Sequence, residues 1–292
     1  MSFPELLING LRLGSIYAII ALGYTMVYGI AKMLNFAHGD IIMVGAYIAF
    51  CGIQNWGVPP MLSFLLAMLV CTVLGVAIEG LAYRPLRKAT SLAVLITAIG
   101  MSYLLQNTAL MIWGANTKNF PTTFINASSI PIGDINVSSA TLITIAVNVV
   151  IMVALTLFTS KTKLGKAMRC VSEDRGAAEL MGINVNRTIS LTFAIGSALA
   201  AIAGVLMCSS IPSLTPTTGS MPGIKAFTAA VVGGIGSIPG AMLGGILLGV
   251  VEIFGNAYIS TDLGDAIVFA VLIVVLLVKP AGLLGKPMRE KV

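Results

Sequence analysis

The run AFTAAVVGGIGSIPGAMLGGILLGVVE, Ala226 to Glu252, decides how this chain is put together. It is apolar almost throughout and exceeds the roughly twenty helical residues that a hydrocarbon core of ~30 Å requires. Yet Gly233, Gly234, Gly236, Pro239 and Gly240 crowd its centre, and proline and glycine there break a helix. Broken backbone is tolerated at membrane depth where it packs in protein or lines a cavity. We therefore expect a glycine/proline-broken or re-entrant segment near 226–254. Gly236, Gly240 and Gly244, four apart, also make the kind of small-residue face that lets two helices approach closely. The two readings are compatible.

The rest of the chain fixes the class. Mean hydropathy is +0.99, with 57% hydrophobic and 10% charged residues, far outside the range of a soluble domain. Seven further apolar runs occur at Gly10–Ile30, Asp40–Ile53, Met61–Tyr83, Ser91–Trp113, Thr141–Ser160, Ile189–Ser209 and Ala266–Val278. Most have helical rather than outer-membrane-strand length. The expected fold is all-α: a polytopic transmembrane helical bundle of about eight hydrophobic segments, one transmembrane domain over 1–292. The first run is too long for a signal peptide's apolar region and no A-x-A site follows it, so it is expected to stay as a membrane helix.

Charge orients the bundle. Basic residues gather at Arg84, Arg87 and Lys88, at Lys161 to Arg187, and at Lys279 to Lys291, each beside an apolar run. The positive-inside rule sends all three to the cytoplasm, including the C-terminus. The Gly114–Ser139 loop, with only Lys118 and Asp134, faces outside. The net charge of +6 is thereby explained by the membrane rather than by nucleic acid. From Arg187 to Lys279 the chain must cross an even number of times, so Ile189–Ser209, the broken run and Ala266–Val278 cannot all be simple spans. The short run from Asp40 leaves the side of the N-terminus open.

Function is narrowed by what is missing. There is no G-x-x-x-x-G-K-[ST] phosphate loop, so the chain does not hydrolyse ATP alone. With one histidine there is no H-E-x-x-H site and no serine, histidine and acid set at a workable spacing. No enzyme activity and no bound cofactor are expected. Cys51, Cys71, Cys170 and Cys208 are scattered and point to neither disulfide nor metal. Ion-driven carriers keep charged groups inside their spans; here Glu79 and Glu252 read as near segment ends, able to reach the interface or cap a helix. Neutral polar residues Tyr24, Thr97, Tyr103, Gln106, Asn107 and Thr228, with Gly233 and Gly236 at the break, are candidates for a translocation path, or else bond neighbouring helices. Asn35, His38 and Asp40 stand before the apolar run from Ile41. They read as helix cap and anchor at the cytoplasmic surface, with His38 a surface or packing residue, or as a pathway end where a helix start holds a solute carboxylate.

Within the charged stretch 161–187, residues Arg175, Gly176, Ala177, Ala178, Glu179, Leu180, Met181 and Gly182 predict a short helix ended by Gly182. Its A-A-x-x-x-G pattern resembles the cytoplasmic coupling loop of ABC-importer permeases, although Gly176 stands where that pattern begins with glutamate. GYTMVYGI (Gly23–Ile30), LNFAHGD (Leu34–Asp40), AYRPLR (Ala82–Arg87), TAIGMSYLLQN (Thr97–Asn107) and KAFTAAVVGGIGSIPGAMLGG (Lys225–Gly245) resemble, in order, the branched-chain amino-acid ABC permease family, in particular its H-type high-affinity leucine, isoleucine and valine permeases. The resemblance implies a non-catalytic inner-membrane subunit of an ATP-driven importer. It implies as partners a second, homologous permease, two cytoplasmic ATPases that carry the ATP and Mg, a periplasmic amino-acid-binding protein and the lipid bilayer. A urea or short-chain amide permease of the same family is the alternative solute class; a self-sufficient secondary carrier is the alternative mechanism.

Overall fold

The computed structural model describes residues 2–87, 89–121, 129–132 and 135–285, with side chains of 122–136 outside the description. The helices are α1 (Phe3–Ala31), α2 (His38–Gln54), α3 (Pro60–Ile78, continued by a π-helical turn Glu79–Tyr83), α4 (Ser91–Trp113), α5 (Ser139–Lys161), α6 (Lys163–Glu173), α7 (Arg175–Leu180), α8 (Val185–Ser210), α9 (Ser220–Gly233), α10 (Ile238–Tyr258) and α11 (Gly264–Val278). Two small antiparallel ribbons complete the description: β1 (Lys118–Asn119) with β4 (Ser213–Leu214), and β2 (Ser129–Ile132) with β3 (Ile135–Ser138).

Seven of these helices are long and apolar enough to cross a membrane. α2 and α9 are shorter, for a structural reason. After α1 ends on Lys32 in the left-handed conformation (φ 52°), the chain turns back along α1, and His38 packs against Gly23 and Tyr24. Tyr24 lies about 10 Å, seven residues, from the end of α1, so α2 starts inside the bundle rather than at its edge. α9 starts there too. A Cβ on Gly39 would lie 2.7 Å from the carbonyl oxygen of Gly219, and one on Gly223 would lie 2.9 Å from Cα of Gly39. The two starts therefore cross backbone on backbone, and the helices run away from each other towards opposite ends of the bundle.

One end carries Ala31, the Glu79–Arg87 turn, α6 and α7, the α9–α10 turn and residues 279–285, tied by contacts of Arg175 with Ala31 and of Gly234 with Gly285. The other end carries β1 with β4, Trp113 on Cys51 (3.1 Å), and Phe3 against Phe254. The N-terminus of α1 and the tail after α11 consequently lie at opposite ends.

The break in Ala226–Glu252 falls where its glycines put it. Gly234 (φ 103°) and Gly236 (φ 93°) form a turn, Ser237 caps α10 by accepting from the Gly240 N–H at 3.2 Å, and Pro239 sits in the first helical turn. The run is two antiparallel helices, and α9 extends back to Ser220. α8, α9, α10 and α11 then alternate in direction, which resolves the parity problem: eight apolar runs contain one more leg than they show. Gly240 and Gly244 also serve close approach, since a Cβ on Gly244 would lie 2.1 Å from the Ala229 carbonyl oxygen. Across the centre, Gly10, Gly14, Gly245 and Gly249 let α1 and α10 touch; a Cβ on Gly249 would lie 2.1 Å from the Gly14 nitrogen. Lipid tails are as apolar as leucine, so such tight contact, not transfer from water, holds membrane helices together. α8 is 78% buried over its central window and α4 only 11%. α4 thus stands at the rim.

Candidate functional site

Asp40 and Gln106, polar residues of two separate runs, meet where α2 and α9 begin, joined by Ser102 and Ser220. The Gln106 side-chain nitrogen, on α4, donates to Asp40 Oδ1 at 2.9 Å and lies 3.2 Å from both Ser102 Oγ and Ser220 Oγ. Asp40 is 1% exposed, while Ser102, Gln106 and Ser220 are half-buried. Beside them α4 exposes Tyr103, Asn107 and Thr108 together with Leu104 and Leu110. A spanning helix that faced only lipid would present apolar side chains.

Several candidates fall elsewhere. Thr97 is half-buried on α4, one and a half turns or more from this cluster. Tyr24 is buried against His38 and Phe227 (ring centroids 4.6 and 5.7 Å). Thr228 is buried and its hydroxyl donates to the Ile224 carbonyl, its own helix's backbone, at 3.1 Å. Gly233 and Gly236 belong to the α9–α10 turn. The expected cap at Asn35 and Asp40 is replaced by tertiary bonds: the residue before α2 is Ala37, no side chain caps it, Asp40 bonds Gln106, and Asn35 accepts from the Tyr83 hydroxyl at 2.9 Å. The anchor at a membrane surface is likewise corrected, because Asn35, His38 and Asp40 are each at most 2% exposed.

The reading of Glu79 and Glu252 as segment-end residues able to reach the interface is also corrected. Lys225 on α9 lies 2.7 Å from Glu252 on α10 and 2.5 Å from Asp265 on α11, and Tyr17 on α1 donates to Glu252 at 2.9 Å. Glu252 is buried and paired, not free to reach an interface. Lys225 stands just before the apolar run, and the early start of α9 at Ser220 carries it inside. At the α7 end, Glu79 is buried, pairs with Arg87 and accepts from Ser190 at 2.6 Å, and Arg87 also reaches Asn186. The described residues hold no cluster of three or more His, Cys, Asp or Glu able to bind a metal.

The 161–187 stretch folds as α6 and α7. Asp174 caps α7 by accepting from the Ala177 N–H at 3.0 Å, and Gly182 (φ 79°) ends it. Arg175 donates to the Ala31 carbonyl, fastening α7 to the end of α1; burial, with Arg87 nearby, lowers its pKa from the ordinary arginine value. Ala178 faces inward (2% exposed), whereas Leu180 and Met181 are 91% and 82% exposed.

Fold and site together define a multi-pass membrane protein whose two short helices start inside the bundle beside a rim of polar side chains, an arrangement suited to passing a solute. The model of the branched-chain amino acid transport system permease component matches residues 6–276, and the chain belongs to that family. It is 47% identical to the high-affinity branched-chain amino acid transport system permease protein BraD of Pseudomonas aeruginosa, over 99% of this chain and 98% of that one. It is 45% identical to LivH, of the same description, from Escherichia coli, with the same coverage. Among solved structures, PsaBC from Streptococcus pneumoniae in complex with Fab is similar in fold, with TM-score 0.50 and 14% identity over 94% of this chain and 91% of that chain.

Proposed function

We propose that this chain is the translocation subunit of an ATP-driven importer of branched-chain and related hydrophobic amino acids in a bacterial inner membrane. The observation that carries the reading is near-full-length identity approaching one half to permeases named for that transport. The same similarity favours amino acids over urea or short amides. Family membership and the exposed apolar face of α7 favour an importer subunit over a self-sufficient carrier, although Lys225, Glu252 and Asp265 form ion pairs among α9, α10 and α11.

The solute path follows the exposed polar face of α4 and its junction with α2 and α9, against a second, homologous permease. α7 docks on an ATPase subunit at the cytoplasmic end. Its outer face, Leu180 and Met181, is apolar, exposed and flanked by charge, as a docking knob requires. A periplasmic binding protein delivers the solute at the opposite end, and ATP and Mg stay on the partner subunits, with no cofactor bound by this chain and no nucleic-acid partner. Leu180→Asp tests the docking: folded permease is expected at wild-type yield, with copurifying ATPase and leucine uptake reduced at least about tenfold, as for loss of an anchor worth ~2 kcal/mol. Wild-type copurification would overturn it.

A further inference from the structure

Each of the three buried carboxylates that lie at or inside the bundle has been accounted for except one. Glu79 is paired with Arg87 and Glu252 with Lys225. Asp40, equally buried, makes no ion pair among the described residues and is met by neutral groups, the Gln106 amide and the Ser102 hydroxyl. A carboxylate kept out of water without a cation is strongly disfavoured, and inside a membrane it marks a functional group by default.

The surroundings specify the missing cation. Three acceptors, Asp40 Oδ1, Ser102 Oγ and Ser220 Oγ, converge within 3.2 Å on one nitrogen that has only two hydrogens to give. A primary ammonium has three. It would satisfy all three acceptors and turn a neutral contact with Asp40 into a charge-assisted one, which is about twice as strong. Ser102, Gln106 and Ser220 are each half-buried, so Asp40, itself 1% exposed, is bordered by residues that solvent reaches.

Resting on the path described above, we propose that Asp40, Ser102 and Ser220 form a transient site for the ammonium group of the amino acid, with the Gln106 amide holding its place when no solute is present. The sign of Asp40 also reverses the carboxylate-binding reading of the α2 start, because a carboxylate there would meet like charge. The solute's own ammonium neutralises Asp40 as it passes, and the amide returns behind it.

The test uses the whole transporter, purified with its partner subunits, in proteoliposomes supplied with saturating leucine-loaded binding protein, with rates expressed per assembled complex. Asp40→Asn is expected to lower the maximal uptake rate at least about tenfold and Asp40→Glu to recover most of it, while Ser102→Ala and Ser220→Ala each lower it severalfold, consistent with loss of hydrogen bonds to a charged group. If Asp40→Asn does not assemble, the two serine variants decide; wild-type rates in both overturn the site. A thiol reagent applied to Tyr103→Cys is expected to stop uptake in that variant, and leucine to protect it. Block and protection at Tyr103→Cys with wild-type rates in the Asp40 and serine variants would sink the ammonium site and leave the path standing. No block there would sink the path itself.

Discussion

Lys225 shows what a single residue holds in this bundle. It joins α9 to α10 and α11 through Glu252 and Asp265, and Tyr17 adds α1. Removing one member of a buried ion pair leaves the other charge uncompensated, at about 3–5 kcal/mol, whereas replacing both by apolar groups is far milder. Lys225→Met is therefore expected to lower the thermal unfolding midpoint in detergent sharply, and Lys225→Met with Glu252→Leu to restore most of it. Asp265 is 46% exposed, so Asp265→Asn is expected to change little. Lys225→Met melting like wild type would show that the cluster does not clamp the helices. Neither partner was legible as such in the sequence: hydropathy marks the extent of a run but not its depth, and Lys225 lies on the wrong side of Ala226 to be counted inside.

Among elements, the contact of α1 with α10 depends on glycine in both. Gly249→Leu forces at least one backbone apart, because even a Cβ there would lie 2.1 Å from the Gly14 nitrogen; the yield of folded protein is expected to collapse. Gly100→Ala, in open space on α4, is expected to be neutral or slightly stabilising. Folded yield measured by size exclusion separates the two, and equal yields would refute the packing account. The break at Gly234–Ser237, the short helix α7 and its end at Gly182 were legible because proline, positive-φ glycine and caps act locally. The starts of α2 and α9 were not. His38 and Ser220 begin helices inside the bundle because backbone meets backbone at Gly39, Gly219 and Gly223, and nothing local in the sequence announces a contact 180 residues away. The Asp40–Gln106–Ser220 cluster stayed hidden for the same reason: each member was visible as a polar residue, their meeting was not.

At the scale of the whole molecule, the basic residues gathered beside α6 and α7 support our proposal that this end of the bundle lies in the cytoplasm. Cys170 on α6 is exposed while Cys51, Cys71 and Cys208 are buried, so a native thiol reports the side on which α6 lies. In intact cells an impermeant thiol reagent is expected to leave the native chain unlabelled and to label Asn116→Cys, which is exposed at the opposite end; the reverse pattern would invert the orientation. Asn126 and Lys286–Lys291, whose sides the charge bias also predicts, lie outside the described residues. Transport itself is the most direct measurement. Proteoliposomes holding this chain with its companion permease and ATPases, given binding protein outside and ATP inside, should accumulate labelled leucine against a gradient, with isoleucine and valine competing and urea not. Accumulation without ATP, or with urea as an effective competitor, would contradict the assignment.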